Sequence, residues 1–298
     1  MSTTTLTTRR GVLLKSFPTA VFLTMIGSAG RTEEFVRESA YNYIIVRRDG
    51  SIVWLRRIEN GSELSAIDLE QPARQVIPYT RYLFLAALFD PRPHSVLSIG
   101  LGAGAFNRLF NLAYPESRLM TVEIDPMIVE VAREFTGFAE TANNGVEIAD
   151  GRRFLARSQK LWDWIVLDAY VRKSQIPPHL TTVEFFTLVR SRLTPDGVFA
   201  ANLSGSPEFV RHVSMTITAV FPNSTFWPVG SKGNVVCVAS LRAAPLPLDI
   251  VATPAVDILR KNEVDLADLA KAPHQILDLD ATAVLTDDFA PTEFLNKE

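Results

Sequence analysis

Read along the chain, apolar and polar positions fall into two regimes. Between Tyr41 and Asp68 the pattern is that of strands: Tyr43-Ile-Ile-Val46, a polar turn at Arg48-Asp49-Gly50-Ser51, then Ile52-Val-Trp-Leu55 and a further turn at Asn60-Gly61. Short β-branched and aromatic runs bounded by Asp-Gly or Asn-Gly signal hairpins, because those dipeptides accept the positive φ of tight turns. Gln71 to Phe89 reads as helical and stops before Asp90-Pro91-Arg92-Pro93, whose prolines cannot continue a helix. From there, apolar strands near 96–99, 118–123, 145–148, 163–168 and 196–201 alternate with helical stretches near 104–113, 126–135, 151–158 and 181–193. Thr194-Pro195-Asp196-Gly197 supplies a turn ahead of the fifth strand. Ser224 to Leu241 gives two more strands, expected as an antiparallel pair at the sheet edge, and the tail from Pro254 looks helical. The alternation predicts an α/β fold, a mostly parallel, doubly wound sheet with helices on both faces, preceded by a small antiparallel β unit.

Composition narrows the class. With 298 residues, 47% hydrophobic and 21% charged, the chain can bury a large core. A net charge of −3 gives no support for nucleic-acid binding, although Arg9-Arg10, Arg47-Arg48, Arg56-Arg57 and Arg152-Arg153 can form local patches. The single cysteine, Cys237, excludes an intramolecular disulfide and reads as a small core residue. The four histidines, His94, His179, His212 and His274, show no metal-ligand spacing, so no protein-held metal is expected. At the start, Arg9-Arg10-Gly11-Val12-Leu13-Leu14-Lys15 approximates a twin-arginine export motif, and Ser16 to Gly30 resembles its apolar region. That uncharged run is too short for a stable membrane span, and both an exported and a cytoplasmic protein are compatible with it.

The chemistry concentrates at strand ends. Val96-Leu-Ser-Ile-Gly-Leu-Gly-Ala-Gly104 reads as a buried strand entering a glycine-rich turn, and Val122-Glu123-Ile124-Asp125 ends the next apolar segment. Glycines let the backbone approach a ligand, and a carboxylate one strand later can hold ribose hydroxyls. The spacing of Gly100, Gly102 and Gly104 suits S-adenosylmethionine-type enzymes, but with Ala105 it also passes the looser dinucleotide fingerprint, and glycines alone can simply build a tight turn. Further acids follow: Asp150-Gly151 after Val146-Glu147-Ile148-Ala149, and Asp168 after Trp164-Ile165-Val166-Leu167. Acids at successive strand tips favour adenosine, ribose and a cationic group together over a pyrophosphate. Asp125 and Asp150 are equally placed to cap the helices that follow them. His179, after Pro177-Pro178, stands in a segment that can border the same site.

On these residues the chain resembles the spermidine synthase family, the polyamine aminopropyltransferases, and more closely its divergent spermidine-synthase-like branch. The resemblance spans about residues 38 to 241 and rests on the β unit, the linking helix, the Ser98-to-Gly104 turn, Val122-Glu-Ile-Asp125, Asp150-Gly151 and Asp168. It implies a class I methyltransferase-like Rossmann domain that binds decarboxylated S-adenosylmethionine and passes its aminopropyl group to an amine. The organisation then expected is an export leader or N-terminal extension over 1–30, a small β-hairpin domain over 31–70 and a Rossmann-like donor-binding domain over 71–298. By the same resemblance Glu123 binds the ribose and Asp150 the adenine amino group. Gly100, Gly102 and Gly104 run close to the nucleoside, with Asp125 and Gly151 in the same set. Asp168 matches the acid that orients the attacking amine and takes its proton.

The chain departs from that family at three points. Ala103 stands where the turn carries an acid, Val171 where a second acid follows the catalytic one, and Pro78-Tyr79-Thr80 where the family has Tyr-His-Glu. Losing acids removes repulsion against a carboxylate, which admits ordinary S-adenosylmethionine as the ligand. The expectation is a transferase with Asp168 as base and Tyr170 or Tyr79 positioning a small-molecule amine or other nucleophile, with a homodimer left open. To meet the acceptor's charge, Asp287-Asp288 is expected within ~8 Å of Asp168. A non-catalytic nucleoside-binding or scaffold protein is the competing reading, whereas an NAD-dependent oxidoreductase would need a substrate domain that the sequence does not offer.

Overall fold

The computed structural model describes residues 33–58, 61–171, 176–230, 233–242, 244–271 and 284–291; the expected leader, with Arg9-Arg10, lies outside them. Two sheets form. The first is a four-stranded antiparallel meander, β1 (Glu33–Glu38), β2 (Tyr43–Asp49), β3 (Ile52–Arg57) and β4 (Glu63–Asp68), paired in chain order. It is twice the hairpin that the sequence suggested, because both flanking segments pair as well. Alternation in β2 and β3 buries Ile44, Val46, Val53 and Leu55 on one face. They pack with Leu101 and Ala103 of the glycine turn and with Met127, Ile128 and Val131 of a later helix, so the small sheet leans against the large domain at the turn itself.

The second sheet has seven strands in the order β10-β11-β9-β8-β5-β6-β7. Its parallel part is β5 (Ser95–Ile99), β6 (Arg118–Glu123), β7 (Asn144–Ile148), β8 (Trp162–Leu167) and β9 (Leu193–Leu203). β11 (Asn234–Ser240) joins β9 antiparallel and carries β10 (Ser224–Val229) at the edge, as the apolar runs there predict. The central strands β5, β8 and β9 are buried on both faces. Val96, Trp164, Val166, Val198 and Ala200 enter one core, and Leu97, Ile165, Leu167, Phe199 and Ala201 the other. The connecting helices are α2 (Ala105–Ala113), α3 (Pro126–Thr136), α4 (Gly151–Arg157), α5 (Val183–Ser191) and α6 (Pro207–Val220).

Two expectations change. Gln71 to Phe89 is not one helix: only α1 (Tyr79–Leu83) and a 3₁₀ turn over Phe84–Leu88 are helical. Pro72 and Pro78 explain this, since proline removes a backbone donor and restrains the residue before it. Thr194–Gly197 does not precede β9 but loops out within it, between the pairs Trp162–Leu193 and Trp164–Val198. After α7 (Leu248–Val251), the tail from Pro254 is helical in α8 (Pro254–Lys261) and α9 (Leu266–Lys271), while residues 284–291 are not helical. Among the described residues no helix is long and apolar enough to cross a membrane.

Three helix starts share one device. Asp125-Pro126, Ser206-Pro207 and Thr253-Pro254 each place a side-chain acceptor before a proline at the first turn, where its missing N–H is not needed. Asp125 goes further. It is fully buried; its Oδ1 accepts from Met127 N at 3.0 Å, while Oδ2 accepts from Ser39 Oγ at 2.6 Å and Asn42 Nδ2 at 2.8 Å. The carboxylate that caps α3 therefore also holds the β1–β2 connection against it. Asp125→Ala removes a cap and takes the carboxylate from the buried Asn42 amide and the half-buried Ser39 hydroxyl, and is expected to cost about 2–4 kcal/mol. Chemical denaturation checks this, and a shift within about 0.5 kcal/mol would contradict the assignment.

Candidate functional site

The carboxyl ends of β5, β6, β7 and β8 open onto a cleft whose opposite wall is Asn42, Leu64 and Ser65 of the small sheet. Open α/β sheets bind ligands at this edge, where strand order reverses, here between β5 and its neighbours β6 and β8. Gly100, Gly102, Glu123, Asp150, Gly151, Asp168 and Tyr170 all line the cleft, so the acids read from separate strand tips are brought together.

The turn's glycines are required by space. Gly100 has φ +102°, and a Cβ on it would lie 2.2 Å from the Asp168 carbonyl oxygen; one on Gly102, at φ +55°, would lie 2.7 Å from Ser65 Oγ. Ser65 Oγ accepts from Ala103 N at 2.9 Å, which ties β4 to the turn. Gly151 is just as tight, since a Cβ there would come within 2.5 Å of Ile99.

Glu123, only 8% exposed, ends β6. Its Oε2 accepts from Leu101 N at 2.9 Å and its Oε1 from Asp125 N at 3.0 Å, which leaves each oxygen a further lone pair towards the cleft. Burial, reinforced by the Asp125 charge, pushes its pKa up to about 7, against the pull of the backbone N–H groups. Asp125 does not line the cleft, and its carboxylate serves the cap and the tie described above. Asp150 has two partners: Oδ1 caps α4 by accepting from Arg153 N at 2.8 Å, and Oδ2 lies 2.7 Å from His179 Nε2. His179 thus stands at the Asp150 end of the cleft rather than beside Asp168, because the 3₁₀ turn Pro178–Leu180 lies over the start of α4.

Asp168 directly follows β8. Its Oδ2 accepts from Tyr79 Oη at 3.1 Å and its Oδ1 from Asn202 Nδ2 at 2.9 Å. Burial raises its pKa, and these donors together with the Arg57 charge only partly offset that. The Tyr79 phenol, buried and facing the Asp168 charge, is held well above its ordinary range and stays a neutral donor. Tyr170 Oη donates to the Asn202 carbonyl at 2.6 Å, so Tyr79 touches Asp168 directly and Tyr170 steadies its partner.

Asp287 and Asp288 do not serve Asp168. Both oxygens of Asp287 take Arg152, at 2.6 Å and 2.5 Å, and Oδ1 also accepts from Thr182 at 2.8 Å, at the α4–α5 side; Asp288 is exposed, and neither residue lines a cleft. The tail is drawn to the nearest arginine, and sequence spacing could not show which one that is.

Sequence reading missed Arg57, Asn202 and Asn234. A second cleft meets the first at Leu64 and Tyr170 and is lined by Arg56, Arg57, Ser62, Glu63, Tyr79, Asn202 and Asn234 among others. Asn202 ends an apolar strand as Asp168 does, and Arg57 continues the inward alternation of Val53 and Leu55; both signals were present in the chain. Among the described residues no cluster of metal-ligating side chains occurs.

A doubly wound sheet of this order, with a glycine turn against its first strand and acids at the following tips, defines a class I methyltransferase-like Rossmann protein. The family model described as the spermine/spermidine synthase domain matches residues 78–226. A polyamine aminopropyltransferase of Vibrio vulnificus is 30% identical over 247 residues, covering 80% of this chain and 82% of that protein. The chain belongs to the spermine/spermidine synthase family. Among solved structures, a spermidine synthase in complex with the transition-state analogue AdoDATO shares the fold at TM-score 0.63 and 20% identity, covering 84% and 90% of the two chains. Human methyltransferase-like protein 13 in complex with SAH matches at TM-score 0.54 and 26% identity, covering 68% of this chain and 97% of that one.

If ribose hydroxyls donate to Glu123, the ionised carboxylate is the binding form. Methylthioadenosine, which carries no titrating tail, is then expected to bind more tightly as pH rises through about 7, and Glu123→Ala is expected to weaken it by about 1.5–3 kcal/mol. Titration calorimetry between pH 5.5 and 8.5 reads both effects. A flat profile with an unaffected mutant would remove Glu123 from the site.

Proposed function

We propose that this protein is a spermidine-synthase-like transferase: it binds an S-adenosyl donor in the first cleft and alkylates an amine-type acceptor presented at Asp168. The observation that carries this is the Tyr79–Asp168–Asn202 group at the junction of the two clefts, in which two buried side chains orient a half-buried carboxylate. A protein that merely kept a nucleoside pocket would have no use for a desolvated carboxylate with both oxygens oriented. Taking such a group partly out of water carries a desolvation cost that binding alone does not require.

The step follows from the chemistry of a sulfonium. The donor carbon is attacked by the lone pair of a neutral amine; the new C–N bond forms as the C–S bond breaks, and the electron pair returns to sulfur as a thioether. An alkylammonium has no lone pair, so a carboxylate must hold it and accept its proton. Asp168, with its pKa raised by burial, suits that task better than an exposed aspartate. Tyr79 and Asn202 fix its orientation, and the walls exclude water that would otherwise compete for the donor. Aminopropyl transfer from decarboxylated S-adenosylmethionine is what the named relatives suggest. Methyl transfer from S-adenosylmethionine is the second reading, favoured by Ala103, which leaves the turn without an acid to repel the donor's carboxylate. The released nucleoside distinguishes them: methylthioadenosine for the first, S-adenosylhomocysteine for the second.

Asp168→Asn keeps the shape and loses the proton acceptor, so turnover should fall by roughly 10²–10⁴ with methylthioadenosine affinity little altered. Rate is expected to rise with pH through the raised Asp168 pKa, since the ionised form is active. A wild-type protein that binds the nucleoside but releases neither product across a panel of amines would leave only the non-catalytic reading.

A further inference from the structure

The Asp150 end of the first cleft is walled by a turn that is braced from a distant segment of the chain. Pro177, His179 and Leu180 line the cleft there, next to Asp150 and Gly151. Among the described residues of the turn, His179 alone offers the cleft a polar side chain. Its Nε2 lies 2.7 Å from Asp150 Oδ2, while Asp150 Oδ1 accepts from Arg153 N at 2.8 Å. An ionised carboxylate can only accept, so the imidazole is the donor of this pair. With one donor on each oxygen the carboxylate is held against rotation about its last bond, and the lone pair left on Oδ2 is an acceptor fixed at the cleft wall.

His179 is itself held from behind. Arg152 Nη1 donates to the His179 carbonyl at 3.1 Å, and the same guanidinium meets both oxygens of Asp287, at 2.6 Å and 2.5 Å. Asp287 is fixed in turn: Thr182 Oγ1 donates to its Oδ1 at 2.8 Å, and its own N donates to Glu184 Oε2 at 3.0 Å. Two residues earlier Leu285 is buried; its N donates to Thr216 Oγ1 at 2.9 Å and its carbonyl accepts from Val183 N at 2.8 Å. An ion pair as open to water as Arg152–Asp287 contributes little to stability. Its two-pronged geometry gives direction instead, because it orients the guanidinium so that a second hydrogen on Nη1 is left for the turn.

We infer that His179 is a positioning residue for the nucleobase: it holds Asp150 as a fixed acceptor that only a base with an exocyclic amine satisfies, and the Arg152–Asp287 pair holds His179 in place. This deepens the proposed donor site and rests on it. A base without the amine would cover the Oδ2 lone pair and bring it no donor, and an acceptor left unpaired in this way is what makes a polar site reject an analogue. Once the imidazole is removed, the carboxylate can turn towards water and escape that penalty. Loss of His179 should therefore reduce the discrimination between bases more than the affinity for the better one.

The full-length protein is titrated by calorimetry with methylthioadenosine and with its 6-deamino analogue, in which hydrogen replaces the exocyclic amine. The wild type is expected to favour methylthioadenosine by about tenfold or more. His179→Ala should bring that ratio to about threefold or less, and His179→Gln, whose amide nitrogen can still donate to Asp150, should keep most of it. Asp287→Ala should lower the ratio in the same direction by a smaller factor, about two to three. A general loss of structure weakens both nucleosides alike, so equal losses in His179→Ala, or a ratio that it does not move, overturn the role of His179. A ratio unmoved by Asp287→Ala overturns the brace. A wild type that binds the two nucleosides equally overturns the whole inference whatever the variants do. Failure of methylthioadenosine to bind the wild type at all would sink the donor reading, and this inference with it.

Discussion

The shape of the first cleft depends on a close approach between the tips of β5 and β8. Gly100 passes under the Asp168 carbonyl with no room for a single carbon between them, and Asp168 N donates to Ile99 O at 2.9 Å. This contact fixes the backbone that bears Asp168 to the backbone that would face a nucleoside, so the floor of the first cleft and the acid at its junction with the second cannot move independently. Gly102 and Ala103 make the equivalent contact on the other side with Ser65, which brings the small sheet into the same unit. A nine-residue stretch from Val96 to Gly104 therefore touches every wall that matters. Its φ values of +102°, +55° and +77° at the three glycines are the backbone cost of doing so.

Around that floor, the acids are sorted by what they accept from. Asp125 and Asp287 are saturated by several donors each, Asp125 in a helix cap and an inter-sheet tie, and Asp287 in a two-pronged arginine pair. Glu123, buried, and Asp168, half-buried, each keep lone pairs on a cleft wall, and loss of water raises both. An acid held up in this way is poorly satisfied by its own fold and gains from a ligand that brings donors. Saturation, and not the mere presence of a carboxylate in the sequence, separates the structural acids from those available to chemistry.

Much of this was legible in the chain. The parallel strands fell within a few residues of their apolar runs, since a strand buried on both faces reads as unbroken Val, Ile, Leu and Trp. The carboxyl-end rule placed Glu123, Asp150 and Asp168 in one cleft because it depends only on strand direction. What failed was anything that needed two distant segments to be positioned against each other. The Asp287-Asp288 pair was the most concentrated unassigned charge, yet nothing local shows that Arg152 lies across from it. His179 does line the cleft as its loop suggests, though at the Asp150 end, a position that spacing alone could not give. Arg57 was overlooked as one of several arginine pairs, although its place after Val53 and Leu55 put it on the inward face. An inward charge on a strand that is otherwise apolar at that period deserved more weight than the glycine spacing, since burying it is costly unless something uses it.

The hairpin that bears Arg57 also explains how one fold can keep a donor site while its second cleft changes. Between Leu55 and Arg56 the β3–β4 register slips, so that Leu55 faces Ser65 and Arg56 faces Glu63, leaving Leu64 as the extra residue of a bulge. A bulge of this kind turns one side chain out of the pleat, and Leu64 is one of the residues lining both clefts. On the domain side of the slip, Ser65 must stay, because it holds the glycine turn; beyond it, Arg56, Arg57 and Glu63 line the second cleft and not the first. The hairpin is thereby divided into a fixed end and a free end by one inserted residue. Charge can be rewritten at the free end without shifting the backbone on which Gly102 and Ala103 rest, and the sign of the group admitted beside Asp168 can change while the cleft for the nucleoside does not.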